Sequence, residues 1–122
     1  YSPWTDLSCS GASYSEHEQD DPILTRTYLE SVRQAYAPQG DWEQPELSPL
    51  FADLSEFPPT LIQYGGHEIL ADDSTRLKKS LDQAGVPNVL QCWPNMWHVF
   101  PMFPLPQAQQ AMERVALFVL TS

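Results

Sequence analysis

The sequence is poor in basic residues, in cysteine and in long apolar runs. Six lysines and arginines stand against sixteen acidic residues, so the formal net charge is −10 at pH 7. This charge would repel nucleic-acid phosphates and anionic lipid headgroups, and we expect no nucleic-acid partner. No window approaches the roughly 18 apolar residues of a membrane-spanning helix, so we expect no membrane span. Cys9 and Cys92 are too few and too far apart to indicate a disulfide scaffold, although a single bridge stays open.

The start of the chain lacks the marks of a natural amino terminus. Residues Tyr1-Ser-Pro-Trp-Thr-Asp6 contain neither an initiator methionine nor the basic and apolar regions of a signal peptide, so we expect further polypeptide upstream. The 122 residues are enough for one domain or a piece of one. We divide them into residues 1–57, made of loops and one helix, and residues 58–122, made of two strand–helix units.

The second half alternates between strand and helix patterns. An apolar run at 60–64 stops at Gly65-Gly66, which is typical of a strand buried in a parallel sheet. Asp72, Asp73 and Ser74 are suited to cap a helix with the apolar face Leu77, Leu81 and Ala84, and Gly85 follows its end. A second strand at 89–93 precedes a helix at 106–120, with the apolar face Ala108, Met112, Val115 and Val119. This order predicts parallel strands joined by right-handed crossovers, an α/β architecture.

The first half is less regular. Residues 1–20 are polar and rich in turn formers, which predicts an exposed loop. Asp21-Pro22 suits a helix start, and Leu24, Tyr28 and Val32 recur at helical spacing, so we expect a helix over 22–36. Two parallel strands alone would leave unpaired edges, so their sheet partners should lie upstream. The same edges leave dimerisation or strand exchange open.

Chemistry is expected on the two loops that follow the strands, because ligands of open α/β sheets bind beyond the carboxyl ends of the strands. The first loop contains His67, Glu68, Asp72 and Asp73, and the second contains His98. A carboxylate beside an imidazole is what nucleophilic acyl transfer requires. A metal site built on His67, Glu68 and Asp72 is not expected, because no further histidine or cysteine is spaced to complete it. We also expect no cofactor.

Several blocks of this sequence resemble the hormone-sensitive-lipase family of α/β-hydrolases, and they occur in family order over almost the whole chain. They are Ser2-Pro-Trp-Thr-Asp-Leu-Ser8, Asp21-Pro-Ile-Leu24, Ser48-Pro-Leu-Phe-Ala-Asp-Leu54, Pro58-Pro59, Gly65-Gly-His-Glu-Ile-Leu-Ala-Asp-Asp73 and Trp93-Pro-Asn-Met-Trp-His-Val-Phe100. The resemblance implies the C-terminal part of an α/β-hydrolase fold. The two strands would be the last two of eight, and the helix at 22–36 would be part of the cap.

The resemblance also implies roles for individual residues. His98 matches the family's catalytic histidine, and Glu68 occupies the position of the triad acid, where aspartate is commoner. Asp72 and Asp73 compete for that role but are better suited to capping. Side chains that could line the substrate pocket lie beside His98 and on the cap-like helix, although each could equally be core: Met96, Trp97, Phe100, Ile23, Leu24 and Tyr28. Trp4 and Asp6 could support the site or only shape a turn.

The predicted function is serine-dependent hydrolysis of a small-molecule carboxylic ester by the parent protein. No G-x-S-x-G nucleophile motif or H-G-G-G oxyanion motif occurs, and Gly11-Ala-Ser-Tyr-Ser15 is a poor match. The serine should therefore come from the N-terminal part of the hydrolase, and the 122 residues alone should be inactive. The alternative is a ligand-binding receptor or an interaction protein on the same fold, which the presence of His98 disfavours.

Overall fold

Two parallel strands form the centre of the fold. In the computed structural model, which describes residues 1–122, β1 spans Thr60–Gly65 and β2 spans Asn88–Trp93. They pair in parallel from Thr60 opposite Asn88 to Gly65 opposite Trp93. Both predicted strands and the α/β order are therefore confirmed, and both strands end at the same edge of the sheet.

The connection between the strands is the helix α3, Ala71–Gln83. Leu77 and Leu81 pack in one core cluster with Leu50, Leu54, Ile62 and Val86. Gly85 follows the helix with a φ of +73°, the left-handed conformation in which glycine has no Cβ penalty. The predicted capping by Asp72, Asp73 and Ser74 is wrong: the N-cap residue is Leu70, and no side chain caps the helix. The two aspartates instead accept hydrogen bonds from residues 5–14.

The last helix, α4, spans Pro106–Thr121 and follows a short 3₁₀ helix, Phe100–Met102. Its buried side chains are Ala108 and Ala111. The predicted apolar face is only partly right, because Met112 and Val119 are 49% and 67% exposed. The helix ends in the exposed side chains Leu117, Val119 and Leu120, so its last turns lie away from the core.

The first twenty residues are not the exposed loop that their polarity predicts. They contain a one-turn helix, α1, at Ser13–Glu16, and they bury Asp6, Cys9 and Tyr14 almost completely. Cys9 and Tyr14 share a core cluster with Leu24, Leu29, Ile69 and Leu70. Polar residues can be buried here because their hydrogen-bonding groups find partners within the chain, which composition does not reveal.

The helix α2 spans Arg26–Tyr36 and begins four residues later than predicted. Thr25 caps it by accepting a hydrogen bond from the Tyr28 amide at 3.1 Å. Asp21 instead closes the preceding turn, accepting from the amides of Ile23 and Leu24. Leu29 is the buried residue of the helix, whereas Tyr28, predicted on the apolar face, is 57% exposed.

Two further expectations concern the cysteines and membranes. Cys9 is a buried free thiol and Cys92 an exposed one, so the chain contains no disulfide. None of its helices combines the length and the apolar character needed to span a bilayer.

Candidate active site

Glu68 lies in the turn between β1 and α3 and is completely buried. One carboxylate oxygen, Oε2, accepts hydrogen bonds from the Gly65 amide at 2.8 Å and from the Ser2 hydroxyl at 2.7 Å. The other oxygen, Oε1, lies 3.3 Å from Nδ1 of His98. Two donors on Oε2 therefore fix the carboxylate with Oε1 directed at the imidazole.

His98 lies in the loop that follows β2, and its side chain is 18% exposed. Because an ionised carboxylate only accepts hydrogen bonds, Glu68 assigns the proton of a neutral imidazole to Nδ1. The lone pair is then on Nε2, which makes no hydrogen bond with the chain. The structure thus brings Glu68 and His98 together, with the basic nitrogen of the ring left available to a proton donor.

The two loops come close because glycines stand where β1 ends. The His67 amide donates to the Met96 carbonyl at 3.0 Å, and the Gly66 amide donates to the Trp93 carbonyl at 3.0 Å. A Cβ at Gly65 would lie only 2.4 Å from the Met96 carbonyl oxygen, whereas a Cβ at Gly66 would meet nothing closer than 3.5 Å. Gly65 therefore allows the backbone of the histidine loop to approach the acid.

The histidine loop contains two residues in the left-handed region. Asn95 has a φ of +61°, which asparagine tolerates, and Val99 has a φ of +49°. A β-branched residue rarely adopts this conformation, and it persists only where surrounding contacts hold it. One such contact is a hydrogen bond from the Val99 amide to the Ser2 hydroxyl at 3.0 Å. The backbone directly after His98 is therefore held by the first residues of the chain.

Ser2 is a site residue that our sequence reasoning did not single out. Its block, Ser2-Pro-Trp-Thr-Asp-Leu-Ser8, carried part of the family resemblance, and that was the available signal. Trp4 and Asp6, the two residues that could support the site, make no hydrogen bond to Glu68 or His98. Trp4 donates to the Asp6 carbonyl at 3.0 Å and packs against the first core cluster, which favours a role in shaping the turn.

The two competing acids have other partners. Oδ2 of Asp73 accepts from the amides of Thr5 at 2.8 Å and Asp6 at 3.0 Å, and Oδ1 accepts from the Tyr14 hydroxyl at 2.9 Å. Burial nevertheless raises the pKa of Asp73 to about 6. Asp72 accepts from the Ser13 amide at 2.9 Å. Both acids hold the N-terminal segment in place.

In Asp6, hydrogen bonding outweighs burial in setting the pKa, which is the reverse of Asp73. Burial acts to raise its pKa, but hydrogen bonds from Ser10, Ser8 and Arg76 outweigh it and lower the pKa to about 2. The Arg76 guanidinium lies 2.8 Å from Oδ2 of Asp6 and is the one positively charged group among these three partners. Asp6 therefore stays ionised and ties the loop at residues 6–10 to α3.

The six predicted substrate-binding residues are not gathered into one pocket. Met96 and Phe100 belong to a core cluster with Ala111, and Phe100 is completely buried. Trp97 is half-buried and packs edge-on against Phe103, with ring centroids 5.5 Å apart. Leu24 is buried in the first core cluster, whereas Ile23 and Tyr28 are exposed. Core packing accounts for Met96, Phe100 and Leu24, and a substrate contact by any of the six remains a prediction.

The His67 side chain makes no hydrogen bond with Glu68 or His98. Its ring stacks on that of His17, with centroids 6.1 Å apart. No group of three histidine, cysteine or acidic side chains in the chain is arranged to hold a metal ion. His67 is therefore a useful reference for His98: a histidine of the same region without a carboxylate on its ring.

Comparison with known proteins shows which family this chain resembles. A family model described as alpha/beta hydrolase fold matches residues 1–102. An acetyl-hydrolase of Streptomyces hygroscopicus is 35% identical over 99% of this chain and 41% of its own length. An esterase of Acinetobacter venetianus is 37% identical over 96% of the chain and 40% of its own length.

A solved structure agrees with these relatives. The crystal structure of an esterase from the bacterial hormone-sensitive lipase family superposes with a TM-score of 0.93 at 36% identity, over 96% of this chain and 40% of that one. The chain thus spans about two fifths of the length of its relatives. It belongs to the α/β-hydrolase fold family, in the group that contains the hormone-sensitive-lipase-like esterases.

Proposed function

We propose that this chain supplies the acid and the histidine of a serine-dependent carboxylic ester hydrolase, whose nucleophile and oxyanion donors lie outside the 122 residues. The observation that carries the proposal is the contact between a fully buried carboxylate, Glu68, and Nδ1 of His98, with Nε2 unpaired. The 3.3 Å separation is looser than the roughly 2.7–2.9 Å of charge-assisted pairs, and such bonds often tighten only when substrate binds.

The proposed roles of His98 and Glu68 follow from the path that the protons take during the reaction. Nε2 of His98 takes the proton of the serine hydroxyl as its oxygen attacks the ester carbonyl, and the ring becomes an imidazolium. Glu68 stabilises that positive charge and holds the ring in the tautomer that leaves Nε2 basic. The imidazolium then protonates the departing alcohol. Water repeats the cycle on the acyl-enzyme and releases the carboxylic acid.

Names of the relatives support esters as the substrate class. The similar proteins include an acetyl-hydrolase, an esterase and a carboxylesterase of Mycobacterium tuberculosis that is 34% identical. We propose that the parent protein acts on small esters with short or moderate acyl chains. A binding protein on the same fold would have no need of an imidazole with a buried acid behind it, so the pairing favours hydrolysis.

The test uses a chimera in which this chain replaces the matching two fifths of the Acinetobacter venetianus esterase. We expect the chimera to hydrolyse p-nitrophenyl acetate and the 122-residue chain alone to give no turnover above buffer. Replacing His98 by alanine should lower kcat of the chimera by about 10⁴-fold or more, the usual effect of removing a triad member.

His67→Ala is the matched control, because it removes a nearby imidazole that does not contact Glu68. It should leave kcat within a few-fold of the unaltered chimera. Activity of the isolated chain that disappears in His98→Ala would place the nucleophile within these residues and refute the shared-site proposal. Full activity of the His98→Ala chimera would refute the role of His98.

A further inference from the structure

The Ser2 side chain joins the two loops of the candidate site. Its hydroxyl donates to Oε2 of Glu68 at 2.7 Å and accepts from the Val99 amide at 3.0 Å. The Ser2 amide donates to the Gln63 carbonyl on β1 at 2.8 Å, and the residue is only 4% exposed. One buried residue therefore contacts the sheet, the acid and the residue that follows the histidine.

The hydrogen bonds through Ser2 have a defined direction. A serine hydroxyl has one proton, and a carboxylate can only accept, so that proton points at Glu68. The Val99 amide donates to the lone pairs of the same oxygen. In a low-dielectric interior, such a chain of donors is polarised, and each bond strengthens the next. The oxygen Oε2 is then fully engaged by Ser2 and Gly65, and Oε1 is left to His98.

Both ends of the Val99–Ser2 hydrogen bond lie in unfavourable backbone conformations. Ser2 has a φ of +42° and Val99 a φ of +49°. Left-handed conformations of residues other than glycine are energetically unfavourable and persist when their surroundings over-determine them. The bond holds the Val99 amide toward Ser2, and this fixes the backbone from which the His98 side chain projects.

We propose that Ser2 is a positioning residue that sets both the orientation of the Glu68 carboxylate and the placement of His98. This inference rests on the proposed function, since it assigns Ser2 to the same acid–histidine pair. Ser2 makes no hydrogen bond with the His98 ring, and it acts through Glu68 and Val99. Removal of its hydroxyl leaves the Gly65 amide as the one remaining donor to Oε2, so the carboxylate is held less firmly, and it leaves the part-buried Val99 amide without its acceptor.

The first measurement needs no catalysis. In the chimera labelled with ¹⁵N-histidine, the His98 ring should show the single tautomer with a proton on Nδ1, and that proton should exchange slowly with water. His98→Gln identifies the signals of this ring. In Ser2→Ala we expect loss of the slowly exchanging Nδ1 proton and a mixture of tautomers. Ser2→Gly lacks the hydroxyl but relieves the positive φ, so the same loss there separates the hydroxyl from backbone strain.

Ser48→Ala is the matched control. Ser48 is another buried serine that joins two segments. Its hydroxyl accepts a hydrogen bond from the Leu7 amide at 2.8 Å and donates one to the Trp42 carbonyl. It makes no contact with Glu68 or His98. We expect it to destabilise the chain as Ser2→Ala does while leaving the His98 tautomer unchanged.

The second measurement is the kinetic effect in the chimera. Ser2→Ala and Ser2→Gly should lower kcat on the order of 10- to 100-fold, the effect of a small misplacement of a reacting group, with KM within about twofold. An unchanged Nδ1 proton in both Ser2 variants, or the same loss in Ser48→Ala, would overturn the positioning role. Neither result would touch the proposed function, which is tested separately by His98→Ala, by Glu68→Gln and by the inactivity of the isolated chain.

Discussion

Glu68 and Asp73 are two acids of the same turn and helix start, and both are completely buried. Both receive hydrogen bonds from the first fourteen residues of the chain. They differ in the partner of the last oxygen: Glu68 faces an imidazole, whereas Asp73 faces the Tyr14 hydroxyl. Burial and hydrogen bonding therefore do not distinguish an acid of a site from an acid of the scaffold. The partner does: the imidazole of His98 has a second, basic nitrogen that can take up a proton, whereas the phenol of Tyr14 has none.

The partners of Asp73 explain its electrostatic behaviour. All of its donors, two backbone amides and the hydroxyls of Thr5 and Tyr14, are neutral groups, and burial outweighs them in raising its pKa to about 6. In the nearby Asp6, hydrogen bonds from Ser10, Ser8 and the charged Arg76 overcome the effect of burial and lower the pKa to about 2. An acid that anchors a segment can thus be costly to ionise.

The largest effect on kcat is expected when Glu68 is replaced by glutamine in the chimera, and Asp73→Asn is the comparison. Glu68→Gln keeps the shape of the side chain but removes the charge that orients and stabilises the imidazole, so kcat should fall by about 10⁴-fold. Asp73→Asn should lower kcat by less than about tenfold at a temperature where the protein stays folded, because Asp73 does not contact His98. Steady-state hydrolysis of p-nitrophenyl acetate measures both. Equal losses of kcat in the two variants would abolish the distinction between them.

A smaller effect should come from adding one methyl group where the loops meet. Gly65→Ala would place a Cβ 2.4 Å from the Met96 carbonyl oxygen, so the histidine loop must move away from Glu68. We expect loss of stability of about 1–3 kcal/mol, as for overpacked sites, together with loss of the His98 Nδ1 proton signal. Gly66→Ala is the control, because its Cβ would make only ordinary contacts from 3.5 Å outward. Urea unfolding and ¹⁵N-histidine spectra compare the two, and a Gly65→Ala chain that matched Gly66→Ala in both would contradict the close approach.

The third effect concerns pH and belongs to Asp73. Its pKa is raised to about 6 in the folded chain from an ordinary value of 3.8. The stability that this acid contributes is therefore fully present below about pH 4 and is lost as the pH rises through 6. Relative to Asp73→Asn, the unaltered chain should lose on the order of 2 kcal/mol of unfolding free energy between pH 4 and pH 7.

Urea titrations followed by circular dichroism at several pH values measure this difference. Asp6 does not interfere, because its lowered pKa gives a contribution that is lost only as the pH falls from about 4 toward 2. Parallel pH curves for the unaltered chain and Asp73→Asn would show that burial does not raise the pKa of Asp73.

The strands, α3 and the pairing of Glu68 with His98 were all predictable from the sequence. Each strand is a short apolar run with a punctuated end, and the parallel order places the two following loops at one edge of the sheet. The family blocks then selected Glu68 among the three acids of its loop. Local patterns and topology sufficed here because each of these features depends on neighbouring residues or on element order.

The N-terminal segment could not be predicted in this way. Ser2, Thr5, Asp6 and Tyr14 look like residues of a solvated loop, yet each is buried and makes hydrogen bonds to residues at least 59 positions away. Asp72 and Asp73 have the residue type and position expected of helix caps. Their carboxylate oxygens instead accept hydrogen bonds from backbone amides of residues 5–13. Single-sequence patterns describe local preference, and these contacts are decided by the tertiary fold.

The hydrogen bond between Val99 and Ser2 also has a consequence for the order of folding. It closes a loop of 97 residues, and the bond between Ser2 and Glu68 closes one of 66. Contacts of such separation are disfavoured by chain entropy until intervening elements have formed, and they slow the search for the native state. The acid and the histidine can therefore meet early through the β1–α3–β2 unit, while their final alignment waits for Ser2 to reach Glu68 and Val99.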